Sequence, residues 1–256
     1  MRGFVEMNYE KANDVERVLD DLYEHWKQIR SETVGQLGKK EALKIIDFHA
    51  NNWIDIMRWI SSTYERQQQM NIVGFQFSRL FKEIYWLQFL FHTGNYPTAY
   101  RNLRYVLEMI CQAYYIDMKY PTLTLDEQIE KTREIEERLR SWNIVSSALS
   151  GIFGKTEEEI RGHFKLLWDG LNKYAHPSVS QMDLVAKEDF FALVTDSFNE
   201  TLARELLGVT DKVFDIIYAA LLRRFPKVIT LVRQYEFIHE WEECLPNTIG
   251  IIRQLR

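Results

Sequence analysis

FQFSRLFKEIYWLQFLFH, residues 75–92, carries apolar side chains around nearly its whole circumference when wound as a helix. The run is too long for an ordinary buried strand, and a helix apolar on all sides must be covered by several neighbours. This stretch therefore asks for a helical surround, and the flanking sequence supplies one.

After TGNYP, a helical pattern over 97–118 puts Ala99, Leu103, Val106, Leu107 and Ile110 on one face, with Arg101, Arg104 and Glu108 on its flank. Towards the N-terminus, Val15, Val18, Leu22, Trp26 and Ile29 mark a helix over 11–33, and Ile45, Ile46, Trp53, Ile56 and Ile60 a second over 40–66. Thr124 to Glu127 and Thr156 to Glu159 have the T-x-x-E form of a capping box, each opening a helix. Gly151 and Gly154 should end the first of these, and the second runs to His176. Further helices are expected at 187–207, 209–224 and 226–243. No stretch alternates with period two for long enough to be a strand, and no repeat is visible. The expected architecture is an all-α multi-helix bundle: an N-terminal helical hairpin over 1–70, packed on a core over 71–256, as one compact unit. Residues 67–74 are the weak boundary between them.

The composition supports a packed core. Of 256 residues, 46% are hydrophobic and 14% aromatic, while eleven Gly and five Pro leave room for long uninterrupted elements. A formal charge of −5 argues against a chain built wholly around nucleic-acid phosphates, though it allows a local basic patch. Cys111 and Cys244 are far apart and without a CxxC or Cys/His pattern, which suggests neither a disulfide framework nor a zinc module. Apolar runs such as DIIYAALL, 215–222, are too short to span a bilayer, and the N-terminus lacks a signal-peptide core. The expectation is a soluble cytoplasmic protein without membrane or cofactor.

One stretch invites a chemical reading. In LNKYAHPS, 171–178, Pro177 should make His176 the last residue of its helix, where the negative end of the helix dipole favours a protonated imidazole. Asp169, Asn172 and His176 then form a polar stripe beside the apolar one. A hydrogen-bonded helix end accounts for the stripe as well as a functional histidine does. Similarly, Arg104 and Glu108 are spaced as a helix-surface ion pair, yet that flank could instead face His176 across the bundle.

TGNYPTAYRNLRYVLEMICQAYYID followed by LNKYAHPS resembles the HEPN-like all-helical proteins over roughly 75–225. The shared features are a G-x-Y-x-x-A…R-x-x-x-E helix and a later polar-x-x-x-His-Pro-Ser turn. In the active ribonucleases of that family an Arg precedes the His by four to six positions, so the resemblance implies metal-independent RNA cleavage. The His would be acid or base and the Arg would steady the phosphate charge. It also implies a homodimer and a place in a defence or toxin–antitoxin type system. Here Asn172 and His176 match, but Leu171 stands at the arginine position and continues the core stripe. The implied catalytic set is therefore His176, Asn172 and Arg104, with Glu108, Asp169, Lys173 and Arg101 as binding residues and no metal. Three functions remain open: a non-catalytic or weakly active module binding RNA, a nucleotide or a protein partner; a ribonuclease using Arg104 or a partner-chain Arg; and a structural helical protein.

Other constellations are weaker. Glu236 and His239 have the Glu-x-x-His form of a di-iron bundle but no second copy, and Glu159 with His163 makes only a pair. Phosphate-cradling glycine loops are absent. Arg223, Arg224, Lys227 and Arg233 read as a solvated helix end, with an anion patch as the alternative.

Overall fold

Helix α5 (Ile72–His92) starts where the Asn71 side chain accepts the Gly74 N–H at 3.0 Å, satisfying one of the donors a helix start leaves free. Phe77, Leu80, Ile84, Leu87 and Phe91 are buried along it. In the computed structural model residues 2–136, 141–175, 197–235 and 238–255 are described, with side chains from residue 20 onward except at 67, 136, 174 and 175. The expectation that α5 is covered on every side is corrected: Phe75, Tyr85, Trp86 and Phe89 are exposed on its outer face. There α1 (Arg2–Leu37) reaches it, with Trp26 edge-on to Phe89.

The chain turns into α6 (Tyr96–Lys119) at Gly94, whose φ is 75° and where an added Cβ would lie 2.5 Å from the Ser197 carbonyl oxygen. Only glycine fits both conditions. Helix α6 is the centre of the bundle. It packs against α5, α7 (Leu125–Glu136), α8 (Ser141–Phe153), α9 (Glu157–Ala175) and α10 (Glu200–Arg224). Both capping boxes form: the Glu127 and Glu159 carboxylates each accept the backbone N–H of their threonine at 2.8 Å. Gly154 follows α8 with a φ of 63°, while Gly151 lies within the helix against Met118 and Tyr114 of α6. Helix α10 runs straight through Gly208, where two helices were expected; its buried stripe from Ala203 to Leu222 holds it together despite the glycine.

The single helix expected over 40–66 is broken into α2 (Lys39–Ala42), a π-helix (Ile45–Ala50) and α3 (Asn51–Thr63). Buried side chains from elsewhere take over the backbone groups. Gln88 Nε2 donates to the Ala42 carbonyl at 2.9 Å, Gln88 Oε1 accepts the Ile46 N–H at 3.2 Å, and the Tyr218 hydroxyl donates to the His49 carbonyl at 2.8 Å. The short α4 (Arg66–Gln69) links α3 to α5. The helix expected over 226–243 is likewise divided, into a 3-10 turn (Pro226–Val228), α11 (Ile229–Arg233) and α12 (Ile238–Cys244). It is followed by α13 (Pro246–Gln254), which the periodicity did not announce. Buried Asp215 of α10 caps α13 from outside, accepting the backbone N–H of Asn247 at 2.9 Å and of Thr248 at 2.7 Å.

One connected set of buried apolar residues runs from Leu37 to Ile252. No strand occurs among the described residues, and no described helix is long and apolar enough to cross a membrane.

Candidate functional site

Helix α9 carries the quoted motif. Ile160, Phe164, Trp168 and Leu171 are buried along one stripe, and Leu171 is 1% exposed, so the position at which the HEPN-like resemblance would require an arginine is a core position. Asn172 is half-buried and Lys173 exposed. His176 and Pro177 lie outside the described residues.

From α6, the Arg104 guanidinium sits 5.0 Å over the Trp168 ring with its Nη2 3.8 Å from Glu108 Oε2. The Arg104 flank thus faces α9, one turn before Asn172. The charge is already engaged: Arg104 is only 15% exposed and is held between a carboxylate and an indole face. The arrangement continues outward. Trp142 of α8 lies 5.8 Å from Trp168, the Lys165 ammonium is 5.2 Å from the Trp142 ring, and Lys165 pairs with Asp169. Arg104 and Glu108 are brought together as their spacing predicts, whereas Asp169 turns to Lys165. Arg101 is exposed on α6.

Beyond this contact α9 and α10 separate around a cleft of about 790 Å³, with Tyr100 of α6 and the α12–α13 turn also lining it. Its walls are chiefly apolar, with Phe164, Leu166, Leu167 and Val209 among them, and Lys173, Lys212 and Glu205 add charges of both signs. Gly170 on α9 and Gly208 on α10 also line it, and a Cβ added at either would meet nothing within 4 Å. Leu166 is 82% exposed on this wall.

A polar cluster that sequence reasoning missed joins the π-helix to α10. Lys44 Nζ lies 2.6 Å from Asp211 Oδ2, and the fully buried His49 donates its Nε2–H to Asp211 Oδ1 at 3.1 Å while its ring stacks on Phe214. Burial pushes the His49 imidazole below its ordinary value, against the pull of Asp211. Burial pushes the Asp211 carboxyl up, but the His49 hydrogen bond and the Lys44 ammonium outweigh it and hold the group below the ordinary carboxylate range. For Lys44, burial is opposed and exceeded by Asp211, which leaves the ammonium above its ordinary value. No local pattern pairs His49 with Asp211, because 162 residues separate them.

The remaining chemical candidates are occupied by structure. Burial raises both the Cys111 and Cys244 thiols, the opposite of what a nucleophilic cysteine needs. His163 Nδ1 contacts the Glu159 backbone oxygen while the Glu159 carboxylate serves its capping box. No grouping of His, Cys, Asp and Glu fit for a metal occurs among the described residues, and Glu236 lies outside them. Of the four basic residues expected at a solvated helix end, Lys227 and Arg233 are exposed, and the three arginines also reach protein acceptors: Arg223 Nε donates to the Ile152 carbonyl, Arg224 pairs with Asp117, and Arg233 donates to the carbonyls of Ile252 and Leu255. No known protein family, characterised protein or solved structure matches the chain.

Proposed function

We propose that the chain is a non-catalytic helical binding module, HEPN-like in its LNKYAHPS stretch, whose partner is a protein held in the cleft between α9 and α10. The observation that carries this reading is the cleft itself: apolar, walled by Gly170 and Gly208, and bearing the exposed Leu166. Such a surface suits an apolar anchor from a partner, while its charges of both signs offer no continuous track for phosphates. Leu171 in the core and Arg104 tied to Glu108 and Trp168 support the non-catalytic part.

Gly208→Trp fills the cleft from one wall and Leu166→Asp replaces its exposed apolar group. A protein recovered with the wild type from an extract of its own cells should be lost with both variants, each verified to be folded. Retention by both variants would refute the reading.

A second reading, a metal-independent ribonuclease, draws on the approach of Arg104 to α9 near Asn172. It requires that wild type cut a mixed end-labelled RNA pool in EDTA and that His176→Ala, equally folded, does not. Equal inactivity of the two proteins is the result expected of a non-catalytic module.

A further inference from the structure

The two helices that wall the cleft run in opposite directions. Helix α10 starts beside the start of α6, where the Asn199 N–H donates to the Tyr96 hydroxyl at 3.3 Å, and ends beside its end, where Arg224 pairs with Asp117. Helix α9 follows α8, whose Ile152 carbonyl receives Arg223 from the end of α10, and then passes Arg104 of α6 at Trp168. The cleft is therefore a groove lying lengthwise between antiparallel helices. Along α10 its wall is Glu205, Gly208, Val209 and Lys212, positions three and four apart on one face.

Most charges near the groove are spent within the fold. Lys165 pairs with Asp169, Arg204 with Glu200 and Glu41, and Asp211 with Lys44; Asp215 caps α13, and Lys173 is also engaged. Glu205 and Lys212 differ: both are exposed on the groove wall, and neither has an ion pair or hydrogen bond among the described residues. They stand on either side of Gly208, two turns or about 10 Å apart along the helix axis. An added Cβ at Gly208 or Gly170 would meet nothing within 4 Å, so the chain's own packing does not call for the glycine that weakens each helix interior. What the two glycines do provide is backbone open to close approach from the groove.

We propose that the groove receives one amphipathic α-helix of the partner, laid along α10. It sets a basic residue against Glu205, an acidic residue seven positions away against Lys212, and small apolar residues between them over Gly208. This rests on the reading of the cleft as a protein site and specifies the form of its occupant. Helices dock in grooves through anchors at i, i+3 or i+4, and i+7, and i, i+7 spans the same axial distance as the two charges of α10. An extended segment would cover that distance in about three residues. It would also lack a sheet edge to join, since no strand occurs among the described residues.

Selection from two displayed libraries tests the inference. One presents a helical scaffold with a randomised face and the other proline-stiffened extended peptides; binders are counted only where the folded Gly208→Trp variant loses them. The helical library should yield binders with opposite charges seven positions apart. Such a binder should weaken by about tenfold on Glu205→Lys, and changing its own basic residue to Glu should restore it. Lys212→Glu should act in the same way on the acidic residue. Binders from the extended library alone would overturn the helix and leave a protein-binding cleft in place. Helical binders indifferent to both charge reversals would overturn the placement along α10. If neither library yields a cleft-dependent binder the inference falls, and the extract experiment with Gly208→Trp and Leu166→Asp decides separately whether the cleft holds a protein.

Discussion

Asp211→Asn keeps the side-chain shape and removes the charge on which Lys44 and His49 converge. The carboxylate side chain is 18% exposed and the Lys44 side chain 26%, with 2.6 Å between Nζ and Oδ2. Breaking a buried pair from one side costs about 3–5 kcal/mol, because the other charge is left in a poor medium. Lys44 can swing partly into water, so the expected loss is about 2–3 kcal/mol. Urea denaturation at neutral pH measures it, and Lys44→Met with the double variant completes a cycle whose expected coupling is about 1–2 kcal/mol. The pH profile adds an independent signature. Asp211 is held below its ordinary 3.8, so its stabilisation is complete above that pH and is lost as pH falls through the lower folded value. Lys44 is held above its ordinary 10.5, so its contribution is complete below that pH and is lost as pH rises through the higher folded value. Asp211→Asn should flatten both limbs while keeping an acceptor for His49 Nε2–H. A loss below about 1 kcal/mol, or strict additivity in the cycle, would refute the view that this pair pins the π-helix to α10.

His92 has no hydrogen-bond partner at either ring nitrogen among the described residues, and burial, helped by the charge of Arg30, lowers it from 6.5 to about 4. The unfolded chain therefore takes up the proton first, and stability should fall as pH drops from 6.5 towards 4, by about 1–2 kcal/mol once solvent access to the ring is allowed for. His92→Phe should flatten that slope in denaturation at a series of pH values, leaving the part due to His49; an unchanged slope refutes the assignment. Gly94→Ala meets both a φ of 75° and the Ser197 carbonyl at 2.5 Å, so its melting temperature should drop by an amount equivalent to at least about 2 kcal/mol. Gln88→Leu strands the Ala42 carbonyl and the Ile46 N–H in the interior, for an expected loss of about 2–4 kcal/mol together with faster hydrogen exchange at Ile46. Normal exchange at Ile46 would show that the π-helix does not depend on Gln88.

What could be read from the sequence was what neighbouring residues decide. Helices α5, α6 and α9 follow from periodicity, and the capping boxes form where the T-x-x-E spacing put them, because a cap involves residues three apart. Leu171 could be recognised as core because it continues the stripe of Ile160 and Phe164. Arg104 with Glu108 was legible for the same local reason, but the indole that receives the guanidinium was not, since Trp168 belongs to another helix. The π-helix was illegible for a stronger version of that reason. Its backbone is satisfied by Gln88 and Tyr218, and its histidine by Asp211, none of which lies nearby in sequence. A regular apolar pattern over 40–66 says nothing about a ladder whose partners come from α5 and α10.

The charges show the same dependence on distant partners, and they bear on what the cleft can hold. Arg223, Arg224 and Arg233, read in sequence as a solvated helix end with an anion patch as the alternative, each find a carbonyl or carboxylate from another part of the fold. Arginine suits this use, because its planar fork reaches helix-end carbonyls while its charge meets the negative end of the helix dipole. Arg104 is tied inward as well. At the cleft, Lys173 and Lys212 stand with Glu205, on a chain whose formal charge is −5. Affinity for a phosphate backbone grows with the number of phosphates neutralised, so two lysines beside a carboxylate give RNA little hold. An apolar anchor loses nothing to those mixed charges and gains from leaving water against Phe164, Leu166 and Val209. The arginines' engagement with protein acceptors and the apolar character of the cleft are the two observations on which the proposed protein partner rests.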